Sequence, residues 1–556
     1  MNFHRYLLPV FVLAAGCAAA PTGPVAMSEL PNINTDAILA DIRKLSSDEF
    51  EGRAPGSKGE QLTVQYLIDQ FKAAGLEPGN PDGTWIQKVP LVGLKPEVQG
   101  PFVVKKGVQT RNFRIRDDVV VFSKHVEDEV RLEDSELIFA GYGVQAPEYQ
   151  WDDFAGMDVK GKTIIVLVND PPVTTPDGVL DDKTFRGKAM TYYGRWTYKH
   201  EKAAELGAAG VLVVHETIPA GYPFAVVQGM GGESFDLVTP DKNANRARIE
   251  GWMSVEAATA LLKMAGQDYQ KLKAEAATRN FKPVALGMTA SVSLKQKMKT
   301  VESQNVIARI SGSDPVLKNE HVIYTAHWDH LGVGEPVKGD AIYNGAIDNA
   351  SGVATVLEIA RQLTKVKTKP KRSILFAMVT AEEQGLLGSQ YYSEFPLYPL
   401  TKTAAVINVD TVNQWGRTKD LILVGLGASD LDDYAREAAA EQGRAIAPDA
   451  EPEKGFYYRS DHFNFAKKGV PALDPHSGVD YIGKPEGYGK TRREQYTAND
   501  YHAPSDEVKP DWDLSGAVED AKLFLAVGYR VAQAEKLPEW KPGNEFKSIR
   551  DKSLGR

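Results

Sequence analysis

His321-Val-Ile-Tyr-Thr-Ala326, Ser373-Ile-Leu-Phe-Ala-Met-Val379 and Ala404-Ala-Val-Ile-Asn-Val409 are three short, almost unbroken apolar runs. Runs of this kind read as strands buried on both faces, because an alternating pattern would leave one face polar. Between the first two, Val353, Val356, Leu357, Ala360 and Leu363 recur at helical spacing. Strand, helix, strand in succession predicts an α/β domain built on a largely parallel sheet. Further helices are expected over 430–442, 461–468 and 513–533.

Ligands of open α/β sheets bind beyond the carboxyl ends of the strands, so the residues after each run are the candidates for chemistry. They are Tyr324-Thr-Ala-His-Trp-Asp-His330, then Thr380-Ala-Glu-Glu-Gln-Gly385, then Asp410. Two polar sites join them. Asp348 lies in Asn344-Gly-Ala-Ile-Asp-Asn-Ala-Ser-Gly352, the turn that opens the helix, and His502 in Asp500-Tyr-His-Ala-Pro-Ser-Asp506. Any one of these is more often structural than functional; their joint placement at one end of a sheet suggests a metal site.

Around this centre the chain divides. It has 556 residues, 42% hydrophobic and 25% charged, which suits a soluble protein of two or three domains. A net charge of -9 without a long Lys/Arg run argues against a nucleic-acid partner. The single cysteine, Cys17, follows Met-Asn-Phe-His-Arg5, an apolar stretch over 6–12 and Ala14-Ala15-Gly16. That pattern reads as an export signal, too short to span a membrane. It resembles a bacterial lipoprotein signal in which Cys17 becomes the lipidated first residue, although Ala14 stands where that pattern usually has Leu. Ordinary cleavage near Ala19 is the alternative. Either route leads to a periplasmic or cell-envelope protein, or a secreted one, in which any metal must be held by His and carboxylates. The expected division is 1–17 signal and lipidated Cys, 18–34 linker, 35–128 first part of the main domain, 129–295 an insertion, 296–540 second part, and 541–556 tail. Helices are expected at Thr35–Leu45, 59–74, 199–206 and 254–276, with a strand over 283–295. The Gly/Pro-rich turn 47–57 offers capping and surface carboxylates.

The ordered motifs from Asn305 to Asp506 resemble the co-catalytic zinc exopeptidases of peptidase family twenty-eight, which includes bacterial zinc aminopeptidases and glutamate carboxypeptidase. The strands over 137–143, 162–168 and 207–214 resemble the β-rich protease-associated domain that is inserted in members of that family. The resemblance implies a three-layer zinc-exopeptidase fold and two zinc ions per chain. His327 and Asp410 would hold one ion, Glu383 and His502 the other, and Asp348 would bridge them. Imidazole and carboxylate suit zinc, and five ligands shared between two ions leave positions open for water and substrate. Glu382 would be the general base, Asp329 would orient the imidazole of His327, and Tyr501 would steady the oxyanion. His330 lies outside the pattern and reads as structural. Asp348-Asn349 falls where the family often has a cis peptide. Arg459-Ser-Asp-His-Phe463 matches an element near the family's cleft, making Arg459 and His462 candidate substrate contacts, with His462 equally able to brace its loop. The segment 481–496 would shape a rim or lid.

An aminopeptidase acting on peptides is the leading function. The alternatives are a carboxypeptidase with the same chemistry, for which Arg459 or Lys484 could hold a terminal carboxylate, and a non-catalytic binding protein on the same fold. No oligomeric state or side-chain preference is readable from these motifs.

Overall fold

The strand His321–His327 lies in the middle of a mixed sheet and is buried along its whole length. The computed structural model describes residues 25–229 and 232–556. The expected signal segment, Cys17 and the first part of the expected linker lie outside the described residues.

The central sheet is built from β1 (Ile86–Val98), β2 (Val284–Ile310), β3 (His321–His327), β4 (Ser373–Val379), β5 (Thr403–Asn408), β6 (Asp420–Val424), β7 (Ala445–Pro448) and β8 (Ala472–Ser477). Its order is β1-β2-β4-β3-β5-β8-β6-β7, with β4, β3, β5 and β8 parallel. His321 is level with both Ser373 and Thr403, so the three predicted strands start together; Val379 ends level with His327 and Asn408 level with Thr325. Side chains alternate between two covered faces. Val322, Tyr324 and Phe376 pack with α3 (Gly352–Leu363) and α8 (Ser515–Gln533), whereas Ile323, Leu375 and Val406 pack with Tyr392 of α4 (Leu387–Glu394) and Phe465 of α6 (His462–Lys467). Helices on both sides explain why the strands are apolar throughout. The helices α1 (Thr35–Leu45), α2 (Lys58–Ala73) and α5 (Leu431–Glu441) join the first face.

β1 and β2 form a long antiparallel ribbon, paired from Ile86 with Val306 to Val98 with Leu294, that leads out of this sheet into a second, β-rich body. That body has its own core, which includes Phe102, Phe113, Leu137, Ile165, Leu212, Met253 and Leu294; Phe102 and Phe113 precede Glu129 in the chain. It rests against the first body through Lys467 Nζ to Glu201 (2.7 Å), the Met190 amide to Pro452 O (3.1 Å) and Tyr192 against Phe463.

Two expectations change. The helix expected over 254–276 is two, Val255–Ala265 and Tyr269–Ala276. Gly266 takes a left-handed conformation (φ 85°) that ends the first, and the side chain of Asp268 accepts from the Lys271 amide (2.8 Å) to start the second. The rim segment contains α7 (Tyr488–Asn499), whose exposed face carries no apolar periodicity to betray it. Among the described residues no helix is long and apolar enough to cross a membrane.

Candidate metal centre

Each of the five candidate ligands sits at the carboxyl end of the parallel strands. His327 is the last residue of β3, Glu382 and Glu383 follow β4, Asp410 follows β5, Asp348 lies in the turn before α3, and His502 lies in the loop after α7. The structure brings all of them together. Asp348 is the hinge of the cluster: its Oδ1 lies 3.4 Å from His327 Nε2 and its Oδ2 3.2 Å from His502 Nε2. On one side Asp410 Oδ1 is 3.4 Å from His327 Nε2; on the other Glu383 Oε2 is 3.0 Å from His502 Nε2. Ligand atoms of His327, Asp348 and Glu383 lie within 4.8 Å of one another, as do those of His327, Glu382 and Asp410.

These separations test whether metal ions fit. Ion pairs in direct contact close to about 2.7–2.9 Å, and three of the four nitrogen–oxygen distances are well beyond that. Zinc bonds of about 2.0–2.1 Å at tetrahedral angles place neighbouring ligand atoms about 3.3 Å apart. His502 Nε2, moreover, is buried and has no hydrogen-bond partner, although two carboxylates face it. A lone pair aimed between carboxylate oxygens without bonding either is the arrangement a cation completes. The residues therefore fit bound metal, with Asp348 placed between the two imidazoles.

The electrostatics agree. Burial alone would lower the pKa of His327, but Glu382, Asp348 and Asp410 push it well above its ordinary value. His502 behaves likewise, raised to about 10 by Asp348 and Glu383 against the effect of burial. Burial opposes ionisation of Asp348, yet the two imidazoles hold its carboxyl well below the usual range. Without metal, protons on the imidazoles supply the positive charge that the carboxylates require. Glu382 differs: burial, helped by Asp410 and Glu383, raises it well above the usual range despite the opposing pull of His327. Its Oε2 stands 3.9 Å from His327 Nε2, beside the cluster and outside the bridging pairs.

The surroundings hold these groups in place. Glu383 spends its other oxygen on His330, with Oε1 2.6 Å from Nδ1. Asp410 accepts from the Ser460 hydroxyl (2.7 Å). Asp506 accepts from the amides of Ile347 (3.1 Å) and Asp348 (3.1 Å), fixing the turn that presents Asp348. Within that turn the Asp348-Asn349 peptide is cis. Gly345 has φ 56°, and a Cβ there would lie 2.2 Å from Asp348 O and 2.6 Å from the His330 ring, so no side chain is tolerated. Arg53, buried, threads between the two ligand loops. It donates to Trp328 O (2.9 Å), Asn344 O (2.6 Å), Gly345 O (2.9 Å) and Leu45 O (2.8 Å).

Several expectations need revision. Asp329 lies behind His327, but the nearest atom to Nδ1 is its main-chain oxygen (3.2 Å), with Oδ1 at 3.8 Å. Its carboxylate instead accepts from the amides of Glu382 (3.0 Å) and Glu383 (3.4 Å), so Asp329 joins the β3 loop to the β4 loop. His462 cannot touch substrate: it is fully buried, with Nδ1 3.6 Å from Asp474, and braces its loop from behind. Tyr501 stacks on His502 with ring centroids 3.9 Å apart and stays 46% exposed, open to the cleft. Arg459 is exposed and, among the described residues, has no ion-pair partner. Reading the sequence missed Arg53 and Asp506 as supports, and read His330 as structural without showing that it braces Glu383. Asp506 closes the motif that contains His502, and Arg53 follows a glycine in a turn read only for its carboxylates.

Residues 305–526 match the model of Peptidase family M28. The aminopeptidase NAALADL1 of Mus musculus is 37% identical over 129 residues, covering 22% of this chain and 16% of that protein. Leucine aminopeptidase 2 of Trichophyton equinum is 28% identical over 245 residues, covering 41% of this chain and 44% of that protein. The chain thus spans less than half the length of these curated relatives. Among solved structures, an aminopeptidase from Aneurinibacillus sp. strain AM-1 aligns over 93% of this chain and 96% of that one, at 20% identity and a TM-score of 0.46. The matched segment contains His327, Asp348, Glu382, Glu383, Asp410 and His502, so the likeness to Peptidase family M28 takes in every candidate metal ligand.

Proposed function

We propose that the protein is a di-zinc aminopeptidase that removes N-terminal residues from peptides. The observation that carries this reading is the splitting of Asp348, whose two oxygens face two different imidazoles, each accompanied by a further carboxylate. His327 and Asp410 would hold one zinc ion, His502 and Glu383 the other, and Asp348 both. Bound there, zinc would supply a Lewis acid for the scissile carbonyl and ionise water near neutral pH. Glu382, poised beside the cluster, takes the proton from the attacking water and delivers it to the departing amine. Its burial and raised pKa suit both halves of that transfer. Tyr501, stacked on His502 and part exposed, would donate its hydroxyl toward the oxyanion. Asp329 and Asp506 hold the loops so that the groups meet without rearrangement.

A second reading, a carboxypeptidase, has one observation in its favour. Arg195 of the β-rich body and Arg459 of the peptidase body both lack an ion-pair partner among the described residues, and burial together with the charge of Arg459 pulls Arg195 down to about 10. Two neighbouring guanidiniums, of which Arg459 also senses Tyr501, would suit a substrate carboxylate. The two readings separate on peptides blocked at one end. Cleavage of C-terminally amidated peptides, abolished by N-acetylation, is expected; hydrolysis that tolerates the acetyl group but needs a free carboxylate would establish the carboxypeptidase. Purified protein with no bound zinc and no zinc-restored activity would overturn both. The β-rich body is read as a protease-associated domain, and the protein as exported and lipid-anchored at Cys17; detection of a diacylglyceryl group on the mature N-terminus tests the anchor.

A further inference from the structure

The end of the sheet opposite the metal centre has a charge of its own. Lys365, Lys367, Lys369 and Lys371 alternate through the loop from α3 to β4; the first three are exposed. Arg372 beside them is buried and paired with Glu320, but the four lysines have no carboxylate partner among the described residues. The loop is pinned to the end of α8, where the Tyr529 hydroxyl donates to Thr368 O (2.7 Å) and Gln533 Nε2 to Lys369 O (3.2 Å). Lys318, just before β3, adds an exposed cation at the same end, and Val316 beside it is 72% exposed. Of the carboxylates there, Glu320 is paired with Arg372, while Asp314, which accepts from the amides of Val316 and Leu317 (2.8 Å each), Glu77, bonded to Ser311 (2.7 Å), and Glu535 oppose the five lysines. In a chain of net charge -9, this is a concentrated exception.

The described chain also begins at this end. Arg530 on α8 donates to Val25 O (3.1 and 2.9 Å), and the Met27 amide donates to Glu441 (2.7 Å). Cys17 precedes Val25 by about 8 residues, a reach of at most about 29 Å.

We infer that this end of the sheet docks on an anionic lipid bilayer, with the lysines against the headgroups and Val316 at the interface. For the lipid on Cys17 the inference rests on the export reading above; for the lysines it does not. A lipid chain accompanied by a polybasic patch anchors stably where a single chain is marginal. The seven-residue β3, rising about 3.3 Å per residue, puts the metal centre about 20 Å further out on the far side. The cleft at Glu382 therefore opens away from the bilayer, toward soluble peptides.

The test uses the unlipidated chain from residue 18, which keeps every described residue, and sedimentation with vesicles of phosphatidylglycerol and phosphatidylethanolamine or of phosphatidylcholine alone. Binding to the anionic vesicles only, weakening as salt is raised, is expected. Each lysine near such a surface is worth about five-fold in partition, so Lys365→Gln, Lys367→Gln and Lys369→Gln together should weaken binding on the order of a hundred-fold. The same change at the exposed Lys263, Lys282 and Lys295 of the β-rich body and ribbon should leave it intact. Peptidase activity of both triple variants should be unchanged, which shows them folded. Equal binding to both vesicle types, no binding to either, insensitivity to the loop lysines, or tighter binding to duplex DNA than to anionic vesicles would each overturn the inference.

Discussion

Replacing Arg53 by Met removes a side chain that bonds both the β3 loop and the Asp348 turn without touching a candidate ligand. Its four hydrogen bonds go to main-chain oxygens on the β3 loop, the Asp348 turn and the end of α1. A hydrogen bond from a charged donor is worth about 1.5–3 kcal/mol, so at the lower value four contribute about 6 kcal/mol. Against this stands the cost of burying the guanidinium: desolvation lowers its pKa from 12.5 to about 10, offset only partly by Asp329 and Asp348. That shift corresponds to about 3 kcal/mol, which Met recovers. The net loss is about 3 kcal/mol, or a Tm lower by roughly 3–5 °C. The assay is thermal unfolding of zinc-loaded and chelated protein, with zinc affinity measured alongside. Because Arg53 sets the distance between Trp328 and Gly345, zinc affinity should fall with stability. Arg53→Lys should rescue only part, since an ammonium cannot span four carbonyls. An Arg53→Met protein with Tm within about 1 °C of the parent and undiminished zinc affinity would refute the argument.

Glu382→Gln should keep its zinc and lose about 10²–10⁴-fold in kcat, measured on a leucine anilide with metal analysis; near-normal turnover would remove Glu382 from the role of base. Asp506→Ala should destabilise by about 1–3 kcal/mol, because the amides of Ile347 and Asp348 lose their acceptor, and lower zinc affinity without changing the pH profile of residual activity. In chelated protein His502 has a raised pKa, so its protonated form stabilises the fold fully below about pH 6.5, and that contribution is lost as pH climbs toward 10. Tm of the chelated protein should fall across that window while zinc affinity rises, since zinc competes with the same proton; a flat chelated profile would count against the ligand assignment.

The parts of the fold legible in the sequence were those where burial dictates composition. β3, β4 and β5 are covered on both faces, so each reads as an apolar run with the ligand just past its end, and the ridge of α3 reads from its spacing. The supports were illegible because main-chain groups and distant loops have no signature. Arg53 is bound entirely through carbonyl oxygens, which any sequence supplies, and Asp506 through amides. His330 was set aside for lying outside a motif, yet it takes one oxygen of Glu383, leaving the other for His502. For His462 the sequence left substrate contact and loop brace equally open, and the packing of Tyr457 over a fully buried ring decides for the brace.

Asp329 shows why position and role separate. The motif places it two residues after His327, which suggests that it orients the ring, but geometry gives that contact to its carbonyl and sends its carboxylate across to the amides of Glu382 and Glu383. Burial raises its pKa to about 7, so neutral pH lies at the edge of its ionised range. A group held there by two amides couples the β3 loop to Glu382 and Glu383 together. The end of β4 that carries Glu382 and Glu383 is therefore positioned from β3.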